Sequence, residues 1–172
     1  VVDSVIMRTL DIFMSVPDIL FTMAVVVALG SNFTNLLIAL TLAYFTNYVR
    51  LVRSQVLNLS ELEYVEAARA GGSGNVRIIL SHIIPNAVGV IIVNVTLNIA
   101  KIIIYESTLS FLGLGMPPPQ PEWGLMLSEA REFMRKAPFL LFYPALAIVL
   151  CACSVNLVGD GLRDALDPHL KS

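Results

Sequence analysis

Charge is the scarcest feature of this sequence: of 172 residues only 14% are Asp, Glu, Lys or Arg, where an ordinary soluble domain carries about 25%. Apolar residues make up 56% and the mean hydropathy is +0.78. Such a chain is too apolar for a disordered segment and too poor in polar surface to cover its own core as a cytosolic enzyme. A bilayer is the expected solvent. Basic residues number 11 against 13 acids, and no basic run suited to gripping phosphates appears, which excludes nucleic acid as a partner. Cysteine is nearly missing too. Cys151 and Cys153 lie two apart in an apolar stretch; on a helix that points them to different faces, leaving neither a bridge nor a metal clip, so both read as small buried hydrophobes. His-Glu-x-x-His and Gly-x-Ser-Gly sites are lacking, and Leu157-Val158-Gly159-Asp160 has no first glycine for an intramembrane aspartyl-protease motif. No catalytic residue, metal or cofactor is expected. The sequence opens on Val1 without a basic-then-apolar leader, and the reading is that of a piece starting in mid-protein.

Long charge-free runs are what the sequence has instead. From Ile19 to Val49 no charge occurs over 31 residues, which as one helix would reach about 46 Å against about 30 Å of hydrocarbon. The run therefore divides, and the turn formers Gly30-Ser31-Asn32-Phe33-Thr34-Asn35 mark the place, with Asn or Ser set to cap the next helix. Spans are expected near 12–29 and 35–57. Pro17 marks a kink or a fresh helix start, which would leave the segment around Arg8 and Asp11 along the interface. A third span is expected over 85–109, with Pro85 in its first turn, and a fourth over 139–158. The fold class is all-α: a polytopic helical membrane protein of about four spans in one domain, 1–172.

Arg50, Arg53, Arg69 and Arg77 fall between spans two and three, whereas the turn at 30–35 has no basic residue. Excess Lys and Arg mark cytoplasmic loops, which places loop 58–84 inside and loop 110–137 outside, with Arg8, Arg163 and Lys171 inside. Arg131, Arg135 and Lys136 in the outer loop run against this assignment.

Ser60-Glu61-Leu62-Glu63 reads as a capping box flanked by Leu59 and Tyr64 at the staple positions, predicting a helix from Glu61 to about Ala70. Gly71-Gly72 should stop it, with a second helical stretch from about Asn75. Glu61, Glu63, Glu66 and Arg69 keep this helix out of the hydrocarbon, where each would cost about 2.5–3.5 kcal/mol. From the residues alone this is either a solvated connector or a docking element for a partner.

Glu66-Ala67-Ala68, three residues, Gly72 and then Ile84-Pro85 resembles the EAA loop of the membrane subunits of bacterial ABC importers. His82-Ile83-Ile84-Pro85-Asn86, the run Glu106 to Gly115, Glu122-Trp123-Gly124 behind the Pro-rich 117–121, and the tail Gly159 to Pro168 are similar to the peptide and nickel branch of that family. The resemblance implies a permease of the bacterial inner membrane, driven by two ATPase subunits on the EAA loop, paired with a second permease subunit and served by an extracytoplasmic substrate-binding protein. It makes Glu66, Ala67, Ala68 and Gly72 the coupling positions, implies two further spans at the amino end, and leaves di- or oligopeptides and nickel open as substrates. A non-transporting channel or structural membrane protein is the alternative from another class.

On the third span Asn94, Asn98, Lys101 and Tyr105 recur at i, i+4, i+7 and i+11, within a sector of about 60°. Such a stripe lines a water-filled path, meets a partner helix, or lets Lys101 snorkel to the interface. Glu106, near the outer end, is either placed to meet a peptide's amino group or is a solvated interfacial carboxylate. The prolines of 117–121 should hold an extended, stiff segment before Trp123 and an amphipathic stretch. The resemblance makes Pro119, Glu122 and Trp123 candidate contacts for the binding protein; a stiff connector is the other reading.

Overall fold

In the computed structural model, residues 1–166 are described; the end of the tail motif, Asp167-Pro168, and Lys171 lie outside them. The described residues form helices and no strands: α1 (Val2–Met14), α2 (Asp18–Leu29), α3 (Phe33–Ser60), α4 (Glu63–Ala70), α5 (Asn75–Ile78), a π-helical segment Ile79–Ile83, α6 (Ile84–Phe111), α7 (Trp123–Ala130), a short 3-10 turn Arg131–Phe133 and α8 (Phe139–Leu166). This is an all-α membrane protein. Three helical stretches, 33–60, 75–111 and 139–166, are long and apolar enough to cross a bilayer, and α1 with α2 forms a bent pair that passes the same test together.

The first expected span, 12–29, is not one helix. Pro17 supplies no N–H and disfavours helical backbone at Val16; α1 therefore ends at Met14, and α2 leaves it at 81°. With 12 residues, α2 rises only about 18 Å. Two ion pairs link α1 to the far end of α3, Arg53 to Asp3 at 2.7 Å and Arg50 to Asp11, all four side chains being exposed.

Between α2 and α3 the chain reverses at Gly30, whose φ of 90° favours glycine. Asn32 is the N-cap of α3: its Oδ1 accepts the Asn35 amide at 2.9 Å, while Asn35 Nδ2 donates to the carbonyls of Leu29 and Gly30. Val26 from α2, Leu36, Ala39, Leu40, Ala43 and Tyr44 from α3, and Leu109 from α6 form the principal core. The main helix pair is α6 with α8. Gly159 lets them approach, since a methyl there would lie 2.8 Å from Leu97 Cδ2.

The third span also departs from expectation, for the helix does not begin at Pro85. It runs without interruption from Asn75 to Phe111, 37 residues. Proline lacks the N–H that an α-helix would bond four residues back, and the five-residue π segment ahead of it shifts the ladder so that the Ile84 amide reaches the Ile79 carbonyl.

Candidate functional site

The loop after α3 is built differently from the predicted capping box. Ser60 stays inside α3, where its hydroxyl donates to the Leu57 carbonyl at 2.8 Å. The N-cap of α4 is Leu62, extended and without a side-chain cap. Packing explains the change: Val65, Ile78 and Ile83 form a small buried cluster, and Val56, Leu59 and Ala68 close against it. Holding Leu59 in that cluster requires the last turn of α3 to remain helical, so Ser60 cannot take the extended backbone of a cap. Tyr64 consequently misses the staple and lies against the His82 ring, 6.2 Å between centroids.

The stop at the glycines is as expected and can be written bond by bond. The Gly72 amide donates to the Arg69 carbonyl at 3.0 Å and the Ser73 amide to the Ala68 carbonyl at 3.1 Å. These are the paired bonds of a Schellman cap. Gly72 holds φ at +83°, where a β-carbon would cost about 1–2 kcal/mol. Val65 turns inward while Glu63, Glu66, Ala67 and Arg69 face out, so α4 presents acid, small and basic surface from a single buried anchor.

At the other end of α6 the chain folds back on itself. The prolines do not keep an extended run: Gln120 N–H turns towards the Pro117 carbonyl at 3.4 Å, and the Pro118–Pro119 peptide is cis. Proline's fixed φ fits a turn corner as well as an extended run, so the prolines alone do not hold the segment straight. α7 then packs against both α6 and α8. Gly115 and Gly124 are buried against Ser110, and a methyl on Gly124 would run into the Ser107 carbonyl. This close seam was not read from the sequence, although Gly113, Gly115 and Gly124 so near one helix end were its available signal.

Glu122 is turned inward, 8% exposed, whereas Pro119 and Trp123 are exposed. Its Oε2 accepts the Met116 amide at 3.1 Å and its Oε1 is buried without a partner among the described residues. Burial pushes its pKa up, and the Met116 hydrogen bond offsets part of that. With Glu106 and Ser107 it lines a cavity of about 530 Å³ between α3, α6 and α7.

The polar stripe on α6 is divided in its contacts. Asn94 donates to the Val90 carbonyl of its own helix at 2.9 Å. Tyr105 meets Tyr44 of α3 edge-on, 5.9 Å between ring centroids. Asn98 is half-buried and Lys101 is exposed. Cys151 is half-buried and Cys153 exposed, both free.

The chain is 45% identical over 171 residues to a dipeptide transport system permease protein of Alkalihalophilus pseudofirmus, covering 99% of this chain and 56% of that one. It is 46% identical over 170 residues to a glutathione transport system permease protein of Pectobacterium atrosepticum, covering 99% and 56%. A putative peptide transport system permease protein of Brucella suis is 43% identical over 169 residues, covering 98% and 57%. The chain thus spans 56–57% of the length of these curated relatives. Residues 1–172 match in full the protein family described as the inner membrane component of binding-protein-dependent transport systems. With its apolar helices, this places the chain in the inner membrane with several spans, and it belongs to that family of transport permease components.

Proposed function

We propose that this chain is part of the membrane subunit of an ATP-driven importer of di- or oligopeptides, working with a second permease subunit, two ATPase subunits and an extracytoplasmic binding protein. The observation that carries the reading is α4: a short helix outside the long apolar stretches, anchored by one buried valine, stopped by a Schellman turn at Gly72, and showing Glu66 and Ala67 outward with Ala68 partly covered. A connector has no need of so definite an end. A docking element does, because its aim must survive contact with a partner that pushes on it. The buried contact of Val65 with Ile78 and Ile83 ties α4 to α5 and the π segment, which gives that push a path into α6 and to the stripe Asn94, Asn98, Lys101 and Tyr105, which lines the passage in this reading. The peptide substrate is supported by relatives named for dipeptide, glutathione and peptide transport. Nickel import is the second reading, supported by the similarity of the motifs to that branch.

The reading fixes an orientation, with Ser60 on the cytoplasmic side and Asn32 outside. An impermeant thiol reagent applied to intact cells should label Asn32→Cys and spare Ser60→Cys, and the reverse pattern would overturn the orientation. Function itself is tested by reconstituting the full-length complex in vesicles with its binding protein. Dipeptide should stimulate ATP hydrolysis and be taken up. Stimulation by nickel alone would move the assignment to the second reading, and neither stimulation nor uptake would remove the importer.

A further inference from the structure

We propose that Pro85 is a positioning residue for coupling: with Asn86 it holds the turn Ile79–Ile83 wide, and that wide turn brings Ile78 and Ile83 together as the socket for α4. The burial pattern carries the inference. Ile78 is 2% exposed and Ile83 5%, and both pack on Val65, the buried anchor of α4. They stand five residues apart, whereas Ile79, Leu80 and Ile84 beside them are exposed. Five residues of α-helix rotate through about 500°, which leaves two side chains about 140° apart on different faces. An ordinary α-helix here could not turn both to Val65. The i→i+5 bond from the Ile84 amide to the Ile79 carbonyl widens the turn and sets residues five apart on one face, as an i→i+4 bond does for residues four apart.

Two features keep that turn from closing. In an α-helix the Pro85 ring would press on the Ser81 carbonyl, and Pro85 has no N–H to offer it; the wider ladder relieves the clash. One position on, Asn86 Nδ2 donates to the His82 carbonyl at 2.6 Å, so a side chain holds the backbone where the ladder changes step. From the same turn the half-buried His82 ring meets Tyr64 of α4, 6.2 Å between centroids. This is a second contact with α4 that depends on the phase of the turn. Because α4 buries only Val65 among its own residues, whatever sets Ile78 and Ile83 sets the aim of α4. The inference deepens the importer reading and rests on it for the role of α4 in coupling.

The test uses the full-length complex and repairs one lesion with another. Pro85→Ala supplies the N–H and removes the ring, so the turn can close as an α-helix with Ile78 and Ile83 on different faces. Dipeptide uptake should fall at least about tenfold, a typical size for lost coupling between sites, while the ATPase still co-purifies. Deleting the exposed Leu80 in that variant leaves Ile78 and Ile83 four residues apart, where an ordinary α-helix turns both to Val65, and most of the uptake should return. Damaged packing would not be repaired by a second lesion. Normal uptake by Pro85→Ala, or no recovery on the deletion, overturns the proposal. Should Pro85→Ala fail to assemble, recovery of assembly by the deletion takes the place of recovery of uptake. Cross-linking reads the same phase without activity: in a complex cleared of its other cysteines, Val65→Cys and Ile83→Cys should join on oxidation, part with Pro85→Ala, and join again with Leu80 deleted. Absence of that cross-link in the parent, or its indifference to Pro85, in a complex that imports dipeptide fails this inference alone. The full cross-linking pattern in a complex that imports nothing fails the importer reading alone.

Discussion

Two short helices lie at opposite ends of α6, and their packing differs more than their sequences suggest. Both have eight residues. α4 buries one side chain, Val65, in a cluster of three, and turns its charged residues out. α7 is wedged against α6 and α8, with Gly124 and Ala130 buried and the Glu122 carboxylate shut in behind it. An element held by a single anchor can be moved as a lever, while an element held on two sides is part of a wall. The difference also says where substitutions should matter: at α7 for assembly, at α4 for what assembly does.

The largest expected effect is therefore at Gly124. Any side chain there meets the Ser107 carbonyl and Ser110, and backbone cannot yield as a flexible side chain does. Overpacking costs about 1–3 kcal/mol and more where backbone must shift. Gly124→Leu in the full-length complex should lower recovery of assembled complex severely and reduce its melting temperature by several degrees. Melting like the parent would mean that α7 is no wall.

Second in size is Gly72→Leu, and here the loss should be functional. Space is open around Gly72; only its φ of +83° resists a side chain, at about 1–2 kcal/mol. The apolar spans are untouched, so insertion and recovery should stay near those of the parent while peptide uptake falls at least about tenfold, through lost ATPase docking or hydrolysis unlinked to transport. Co-purification, substrate-stimulated hydrolysis and uptake tell these apart. Normal uptake would sink the coupling assignment and the comparison with it.

The long helices were legible because absence of charge over 20 or more residues has few other meanings in a chain this apolar. What the sequence concealed was set by distant contacts. Ser60 has the right neighbours for a cap, but Leu59 is claimed by Val65, Ile78 and Ile83, residues that arrive later in the chain. The residue pattern likewise gave no hint of a π segment ahead of Pro85. Glu122, beside an exposed tryptophan in a proline-rich loop, reads as surface; its burial follows from two glycines closing on Ser110, a contact that no periodicity announces. Gly72 was legible because its requirement is local: the stop it makes depends on its own φ and on the carbonyls of Arg69 and Ala68, three and four residues back.

A smaller effect is expected on the stripe between the two ends. Tyr105 is committed to Tyr44 and Asn94 to its own helix, which leaves Asn98 and Lys101 as the members free to face a path. Replacing either by Leu should reduce uptake several-fold with assembly and ATPase docking kept. Normal transport by both variants would make the stripe a packing seam, and α6 would join the wall along its whole length.

The smallest effect, and the finest test of how firmly the wall is closed, is the pH dependence of Glu122. Burial raises its pKa above the ordinary 4.5, so the folded loop holds the proton more tightly than the unfolded chain does. The sign follows from linkage: below 4.5 both states are protonated and the group costs nothing, while stability falls as the pH rises through the raised folded pKa and levels off above it. Glu122→Gln has no proton to lose, yet its carbonyl can still accept the Met116 amide. The parent's melting temperature should therefore decline relative to this variant as the pH rises from 4.5. Parallel pH profiles for parent and variant would mean that water reaches the carboxylate freely, and the contrast between a closed α7 and an open α4 would fail at the residue chosen to measure it.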